Sequence, residues 1–398
     1  MSITGDQSFL KQINRMALVR VIQQAPALSR ADLAKETGLT KSTVSLLVQE
    51  LIDEGWFVER KAQVTGALGR RPTPLYIDSQ RLALIGADLG VESISVVAVS
   101  LTGNVLDAVT EPLPSPDQAV VIHRLAKLIA ACAERLKHAG RTLLGIGLGV
   151  PGPVNEQAGT LKYAPNLGWS KVQIVARLGS ALKAAGVSSP RIFMQNEADV
   201  AALGEFEFGE RPIPEPLVYL SLGVGVGAGI VANDRLFSGV DGSAGDFGHS
   251  ILQVDGPECY CGRRGCAETF IGLRAIGTQI AAWGEKALST AALAELAARG
   301  DARMREVLTH AGRYLGVLAH NIWTAFKPGR IVFGGPACEL GPYFFDTAAA
   351  CMQRYAESSG LPAPELKQAH YGSLAVAVGA AALVLHKLIR PLELKACA

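Results

Sequence analysis

Apolar positions in the first eighty residues recur at helical spacing. Ile13, Ala17 and Val21 lie four residues apart, which predicts an apolar stripe on a first helix. A later segment has the same kind of pattern and predicts a buried stripe formed by Val44, Leu47, Val48 and Leu51. Small polar residues fall on the opposite face of that later helix. This arrangement favours a helix with one face packed and the other available for contacts.

Capping residues divide this region into a helix, a turn and a helix. Ser29-Arg30-Ala31-Asp32 predicts a capping box at the start of a short second helix. Gly38 can end that helix in the left-handed conformation, and Thr40 can cap the helix that follows. A short helix, a glycine-containing turn and a longer helix are typical of a helix-turn-helix.

Two short apolar runs follow, Phe57–Lys61 and Leu75–Ile77, and they predict a hairpin that serves as a wing. Its loop carries Arg70 and Arg71, which can bind phosphate or enter a minor groove. The side chains expected to contact DNA are Lys41, Ser42, Thr43, Ser45, Gln49, Arg70 and Arg71. The alternative is a small helical domain that binds a protein and has a solvated basic loop.

From Leu82 onwards, apolar β-rich runs alternate with helical patterns, which predicts an α/β fold. Leu84–Leu89 and Ser95–Leu101 flank one glycine turn, and Leu217–Leu222 and Ala228–Val231 flank another. The repeated pattern predicts two lobes, separated at the stiff, proline-rich segment before residue 216. The expected domains are residues 1–81, 82–215 and 216–398, with the C-terminal helix packing back on the first lobe.

Composition narrows the class of protein. The chain has 398 residues, is 49% hydrophobic and 19% charged, and so resembles a globular protein rather than a disordered one. Residues 1–81 contain 11 Lys/Arg and 8 Asp/Glu, a weak indication of nucleic-acid binding. The apolar run Leu374–Leu385 is too short to span a membrane, and charged residues interrupt the N-terminal segment where a signal peptide would need an apolar core. We therefore expect no membrane association and a cytoplasmic location.

Three of the seven cysteines fall within eight residues, Cys259, Cys261 and Cys266, and His249 lies ten residues before the first. Cysteines are often small buried residues. Three separated by glycines, with a nearby histidine, favour a tetrahedral zinc site instead. A set of four protein ligands leaves no open position, so this zinc is expected to be structural.

The zinc motif and the two glycine turns resemble those of the ROK family, which is named for repressors, open reading frames and kinases. The winged helix places the resemblance in the family's repressor branch, which includes the xylose and N-acetylglucosamine repressors. The resemblance extends over essentially the whole chain. It implies an N-terminal winged helix-turn-helix followed by a two-lobed, actin-like domain of the sugar-kinase type.

The resemblance also implies a sugar site, because amides and carboxylates at the matching positions bind sugar hydroxyls in relatives. The motifs that carry it are Ala164-Pro165-Asn166, Asn196-Glu197-Ala198-Asp199 and Gly245-Asp246-Phe247-Gly248-His249, followed by a glutamate two residues after the last zinc cysteine. The implied sugar ligands are Asn166, Asn196, Glu197, Asp246, His249 and Glu268. Asp246 is one methylene shorter than the family glutamate.

The phosphate-binding turns depart from the family's kinases. Where those kinases have Asp-x-Gly-Gly-Thr, this chain has Asp88-Leu89-Gly90-Val91-Glu92, which adds bulk and negative charge. Val224 replaces the threonine of the second turn, and Glu197 replaces the aspartate that acts as general base. We therefore expect no catalytic residues and no phosphoryl transfer.

The expected function is a sugar-responsive transcriptional regulator, a repressor of genes for carbohydrate uptake or catabolism, that binds an inverted-repeat operator as a homodimer or homotetramer. Two alternatives remain open at this point. One is an active sugar kinase with a DNA-binding domain, and the other is a regulator controlled mainly by a protein partner.

Overall fold

The computed structural model describes residues 7–61, 73–188, 190–240, 242, 244–284 and 288–391. These residues form two compact units. The first contains the described residues up to Glu197, together with Glu210–Pro212 and the segment from Ala377 onwards. The second contains Ala198–Gly209 and Ile213–Val376.

The first unit begins with a helical region and a short antiparallel hairpin. Its elements are α1 (Gln7–Gln24), α2 (Arg30–Thr37), α3 (Lys41–Asp53), β1 (Phe57–Glu59) and β2 (Leu75–Ile77). Ser29 and Asp32 form the predicted capping box, in which the Asp32 carboxylate accepts from the backbone N–H of Ser29 at 2.9 Å. Gly38 ends α2 with φ of 70°, and Thr40 caps α3. The predicted helix-turn-helix is confirmed.

The apolar stripe predicted for α1 was wrong, because the structure buries a neighbouring face of the helix. Ile13, Ala17 and Val21 are only half-buried. The buried side chains of the helix are Met16, Leu18, Val19 and Ile22. The four-residue spacing was real, but α1 packs against α2, α3 and β2 with an adjacent face. By contrast, α3 buries the four apolar residues expected of it.

The rest of the first unit is built on a five-stranded sheet with strand order β10-β6-β3-β4-β5. Strands β3, β4 and β5 are antiparallel neighbours, whereas β6 and β10 extend the sheet in parallel with β3. Helices α4 and α5 pack on this sheet around a core that includes Leu125, Ile129 and Leu178. The elements are β3 (Leu82–Leu89), β4 (Ser93–Ser100), β5 (Val105–Pro112), α4 (Gln118–His138), β6 (Thr142–Val150), β7 (Val154–Asn155), β8 (Thr160–Ala164), β9 (Trp169–Val172), α5 (Ile174–Ala184) and β10 (Ile192–Asn196).

The second unit repeats this topology. Its sheet has the order β13-β12-β11-β14-β15, in which β11, β12 and β13 are antiparallel and β14 and β15 are parallel to β11. The elements are α6 (Glu197–Phe208), β11 (Leu217–Leu222), β12 (Val226–Ala232), β13 (Arg235–Leu236), α7 (Glu268–Ile271), α8 (Leu273–Ala281), α9 (Thr290–Ala298), α10 (Ala302–Phe326), β14 (Arg330–Gly334), α11 (Pro342–Ser358) and β15 (Glu365–Gln368). The duplicated order of strands confirms the α/β fold class.

The C-terminal helix α12 (Ala375–Ile389) lies against β3 and β6 at backbone contact distance. A Cβ on Gly86 would stand 1.9 Å from the carbonyl oxygen of Ala377. A Cβ on Gly147 would stand 1.7 Å from the carbonyl oxygen of Ala380. Only glycine on the strands and small residues on the helix permit this approach.

This helix is more apolar than the sequence suggested. The segment Gly372–Ile389 has a mean hydropathy of 1.8 and, by length and composition alone, is long enough to cross a membrane. In the protein, 72% of the segment is buried. Burial against the sheet accounts for its composition, since a helix that is apolar all round is typical of a protein core.

Arg81 connects the recognition helix α3 to the first sheet. Its guanidinium donates to the carbonyl oxygens of Ile52 at 2.8 Å and Asp53 at 2.7 Å. These carbonyls belong to the last turn of α3, where carbonyl groups lack a regular helical partner, and the Ile52 carbonyl also accepts from the N–H of Gly55 at 3.0 Å. The backbone carbonyl of Arg81 accepts from the N–H of Thr142 at 2.9 Å, where β6 begins. One residue therefore joins α3 to both β3 and β6.

We expect Gly147→Ala to lower the free energy of unfolding, because the new methyl group overlaps the backbone of α12. The expected loss is ~1–3 kcal/mol or more, the cost typical of an overpacked core. Thermal unfolding of the full chain measures the effect. Gly277→Ala is the matched control: Gly277 lies in α8 and a Cβ there has no neighbour within 4 Å. Equal melting temperatures for the two variants would contradict the proposed packing.

Candidate functional site

The exposed face of α3 carries the residues expected to contact DNA. Lys41, Ser42, Ser45 and Gln49 are exposed, and Thr43 is half-buried. The hydroxyls of Ser42 and Thr43 lie 2.9 and 2.8 Å from the hydroxyl of Thr40. Ser42 and Thr43 therefore also help to hold the cap of the helix, which sequence reasoning did not foresee.

The Gln49 side chain is held by Arg30 of α2 and by Asp53 in the next turn of α3. The Gln49 side-chain oxygen accepts from the Arg30 guanidinium at 3.2 Å, and its amide nitrogen donates to the Asp53 carboxylate at 3.0 Å. Arg30 also pairs with Glu59 of β1 at 2.7 Å. The amide is therefore oriented by a chain of polar contacts from the hairpin to the end of α3.

The wing was predicted to carry two basic contacts, Arg70 and Arg71, and both lie outside the described residues. The described base of the hairpin has its own cations. Arg60 and Lys61 are exposed, and the Arg60 guanidinium lies 4.6 Å from the centre of the Tyr76 ring. This cation–π contact restrains Arg60 on the hairpin surface.

The first unit contains three of the residues assigned to sugar binding. Asn166 is exposed in the turn Pro165–Leu167 between β8 and β9. Asn196 ends β10, and its side-chain amide donates to the carbonyl of Gly152 at 3.2 Å. Glu197 follows directly at the start of α6. Asn196 is thus tied to the loop that follows β6, and Glu197 is positioned by the same strand end.

Glu197 lies near a second acidic residue, Asp88, at the end of β3. Burial, and next the charge of Glu197, raises the pKa of Asp88 from 3.8 to about 8. Burial raises the pKa of Glu197 from 4.5 to about 7. One carboxylate oxygen of Asp88 is buried without a hydrogen-bond partner among the described residues. Both carboxyl groups therefore keep their protons to a higher pH than exposed carboxyl groups do.

The second unit brings His249, Cys259, Cys261 and Cys266 into one cluster. Their ligand atoms all lie within 4.8 Å of one another. The Sγ of Cys259 is 3.5 Å from Nδ1 of His249, and the sulfurs of Cys261 and Cys266 are 3.7 Å apart. Ligands around a tetrahedral zinc, at about 2.0–2.3 Å from the metal, are themselves separated by roughly 3.5–3.8 Å. The cluster therefore has the spacing and donor types of a metal site.

Local backbone geometry explains why the cysteine motif contains glycine before Cys266. Gly265 has φ of +73°, and a Cβ there would stand 1.7 Å from the carbonyl oxygen of Gln253. The backbone N–H of Leu252 donates to the carbonyl of Gly265 at 2.8 Å. A tight, paired loop thus brings the last cysteine back towards the first two.

Glu268 lies beside this cluster. One carboxylate oxygen accepts from the backbone N–H of Val226 at 3.4 Å, and the other lies 3.9 Å from the sulfur of Cys259. A Cβ on Gly225 would stand 2.4 Å from the Glu268 carboxylate. The glycine turn before β12 therefore makes room for this side chain, a role that the sequence did not reveal.

The remaining two predicted sugar ligands differ in exposure. The side chain of Asp246 is 61% exposed and that of His249 is 12% exposed, and the carboxylate lies 4.0 Å from Nε2 of His249. The hydroxyl of Tyr260 lies 3.3 Å from the same nitrogen. Tyr260 was not anticipated as a site residue, although it stands between two of the cysteines. The second unit therefore holds Asp246, His249 and Glu268 around one cluster.

The two turns expected to have lost phosphate binding are both described. In the first, the backbone N–H of Gly90 donates to the carbonyl of Ser93 at 3.0 Å, with Val91 half-buried and Glu92 exposed. In the second, the N–H of Gly223 donates to the carbonyl of Gly225 at 2.9 Å, and Val224 is 39% exposed. Each turn presents a valine side chain in place of a hydroxyl or a bare backbone.

Comparison with known proteins identifies both parts of the chain. Residues 84–387 match the ROK family, and residues 12–58 match a winged helix-turn-helix DNA-binding family. The chain belongs to the ROK family. The helix-turn-helix match in this ROK protein covers all of α2 and α3.

Relatives that align with most of the chain are named as regulators. This ROK chain is 30% identical to a xylose repressor of Caldicellulosiruptor bescii over 86% of its length and 88% of the relative. It is 26% identical to the DNA-binding transcriptional dual regulator NagC of Escherichia coli, covering 98% and 97% of the two chains. A crystal structure of a ROK family transcriptional regulator, a homologue of the Escherichia coli MLC protein, superposes with a TM-score of 0.79 at 26% identity, covering 98% and 99% of the two chains.

The shifted acidic pair of this ROK protein predicts a pH-dependent stability. The folded chain keeps protons on Asp88 and Glu197 at pH values where the unfolded chain has lost them, so the free energy of unfolding falls between about pH 4 and pH 8. Asp88→Asn is expected to make that fall less steep. Denaturant titrations from pH 5 to about pH 9 measure it, with Asp346→Asn as an exposed-carboxylate control. Identical slopes for wild type and Asp88→Asn would contradict the assignment.

Proposed function

We propose that this protein is a sugar-responsive transcriptional repressor of genes for carbohydrate uptake or catabolism. The observation that carries the proposal is the presence, in one chain, of a capped helix-turn-helix with a polar exposed face and a ROK region. The names of the relatives support this proposed function, since one is a xylose repressor and another a DNA-binding regulator. Such a protein acts in the cytoplasm, without membrane association.

DNA recognition in this proposal uses α3 in the major groove. Lys41, Ser42, Thr43, Ser45 and Gln49 contact the operator, and Arg70 and Arg71 of the wing contact phosphate or the minor groove. A homodimer or homotetramer places two such helices about one turn of DNA apart, so the operator is an inverted repeat. Residues 1–81 form the DNA-binding domain, and residues 82–215 and 216–398 form the two lobes of the sensor.

The proposed sugar-binding residues are Asn166, Asn196, Glu197, Asp246, His249 and Glu268. Amides, carboxylates and an imidazole supply both donors and acceptors, which suits a ring of hydroxyls. Arg81 hydrogen-bonds to the end of α3 while its backbone carbonyl accepts from Thr142 of β6 in the sheet of the first unit. A change in that sheet on sugar binding therefore has a direct physical connection to the recognition helix.

The metal in the proposed protein is one structural zinc ion held by His249, Cys259, Cys261 and Cys266. Burial raises the pKa of the thiols of Cys259 and Cys266, the latter to about 12, and a bound dication would favour their thiolate forms. Zinc would order the loop that also carries Glu268. It supplies no reaction step, because four protein ligands leave it no open position.

Phosphoryl transfer is absent from the proposed function. The raised pKa of Glu197, about 7, is within the range of a general base, so that residue alone would not prevent catalysis. The stronger argument comes from the two turns. Val91, Glu92 and Val224 stand where the family's kinases need small residues and a hydroxyl to hold phosphates, and kinase catalysis depends on that hold.

The function is tested by selecting DNA with the full chain from a random pool and measuring operator affinity with a sugar panel that includes xylose and N-acetylglucosamine. We expect one sugar to change the affinity by about 5–150-fold, the usual range of allosteric coupling. A chain lacking residues 1–81 should bind sugar but no operator. Failure of the full chain to enrich any sequence would refute the DNA-binding role.

The zinc assignment predicts about one zinc per chain by elemental analysis, from the single four-ligand set. Cys261→Ser should lose the metal and weaken both thermal stability and sugar binding, because the loop carrying His249 and Glu268 loosens. Cys338→Ser is the control, since Cys338 donates to the carbonyl of Phe333 away from the cluster. A metal-free wild-type protein that still binds sugar would overturn the assignment.

The absence of phosphoryl transfer predicts that Mg-ATP does not alter sugar binding and that sugar does not stimulate ADP release. Glu197→Asp should not restore turnover, because the valines in both turns remain. A coupled ADP assay over hexoses, pentoses and amino sugars provides the measurement. Sugar-dependent turnover of roughly 1–100 per second, as in kinases, would establish an enzyme instead.

A further inference from the structure

The middle of the exposed face of α3 is occupied by a leucine. Leu46 is 61% exposed, whereas the four apolar residues that attach α3 to the domain are buried. It shares its face with Ser42 and Gln49, at i−4 and i+3. The buried residues of α3 do not include it. Its position therefore needs an explanation other than packing within the chain.

While its two side-chain hydrogen bonds persist, Gln49 cannot pair its amide group with the edge of an adenine base. A glutamine that reads adenine uses both its oxygen and its nitrogen against the base edge. Here the oxygen accepts from Arg30 and the nitrogen donates to Asp53. The neighbouring Ser42 hydroxyl is shared with Thr40, and serine contacts several bases. Gln49 and Ser42, the two polar neighbours of Leu46 on this face, thus offer little discrimination between bases.

The major groove presents one apolar group, the C5 methyl of thymine, and apolar side chains read thymine through it. We propose that Leu46 is a specificity-determining residue that packs on the C5 methyl of one thymine in each operator half-site. This inference rests on the proposed function, since it requires α3 to lie in the major groove. Burial of the leucine against that methyl also removes an exposed apolar side chain from water.

The test separates the methyl group from every other feature of the DNA. After selection of an operator with the full chain, each thymine is replaced in turn by deoxyuridine, which lacks only the C5 methyl. We expect one position per half-site at which the wild-type protein loses about fourfold in affinity, the effect of one buried methyl-sized group. The other thymines should show no such loss. No mutant protein is needed for this arm.

A double-mutant cycle then assigns the methyl contact to Leu46. Leu46→Ala changes both copies of a dimer, so it should bind the thymine operator about sixteenfold more weakly, fourfold per half-site, and should be insensitive to deoxyuridine at that position. Leu10→Ala, at an apolar residue of α1 that is 49% exposed, should retain the wild-type sensitivity. Circular dichroism verifies that both variants fold.

Two results overturn the inference while leaving the proposed function intact. One is an enriched operator with no methyl-sensitive thymine. The other is a Leu46→Ala protein that remains as methyl-sensitive as wild type, or that binds operator normally, as expected if the leucine docks a protein instead. If selection enriches no sequence, the proposed function fails and this inference fails with it.

Discussion

The backbone contact between α12 and the strands β3 and β6 constrains the first unit more than any other interaction. It requires glycine at positions 86 and 147 and places helix carbonyls where side chains would otherwise stand. Strand β3 follows directly after Arg81, which hydrogen-bonds the end of α3, and carries Asp88 as its penultimate residue. Because α12 fixes this strand, it indirectly sets the position of the recognition helix and of the acidic pair.

In each unit, strand ends and glycine turns position the polar side chains of the candidate site. In the first, Asp88 is the penultimate residue of β3, Asn196 ends β10 and Glu197 follows it. In the second, the turn before β12 contains Gly225, whose missing side chain leaves room for Glu268 next to the cysteine cluster. The same strand order is thus used twice, but only the second unit adds a metal-type cluster among its described residues. The two units therefore share a strand order but not a set of functional side chains.

Local signals were the part of this structure that could be predicted. The Ser29 capping box, the Gly38 turn and the cysteine spacing depend on neighbours within a few residues, and the structure contains all three arrangements. The phase of the α1 stripe was wrong because it depends on which side of the helix faces its partners. The contacts of Gln49 with Arg30, of Arg81 with Ile52 and of Gly225 with Glu268 join residues 19 to 43 positions apart, and no pattern along the chain marks those pairs.

The altered phosphate turns make physical sense in a sensor. A regulator reports a sugar concentration only if binding is reversible, since the coupling between effector and operator is an equilibrium free energy. A chain that phosphorylated its effector would convert the signal into a different molecule during measurement. In the proposed function, Val91, Glu92 and Val224 weaken the phosphate hold without touching the carboxylates and amides assigned to sugar. Under that proposal, a loss of catalysis through the turns, with the polar sugar groups retained, is the change that best preserves reversible sensing.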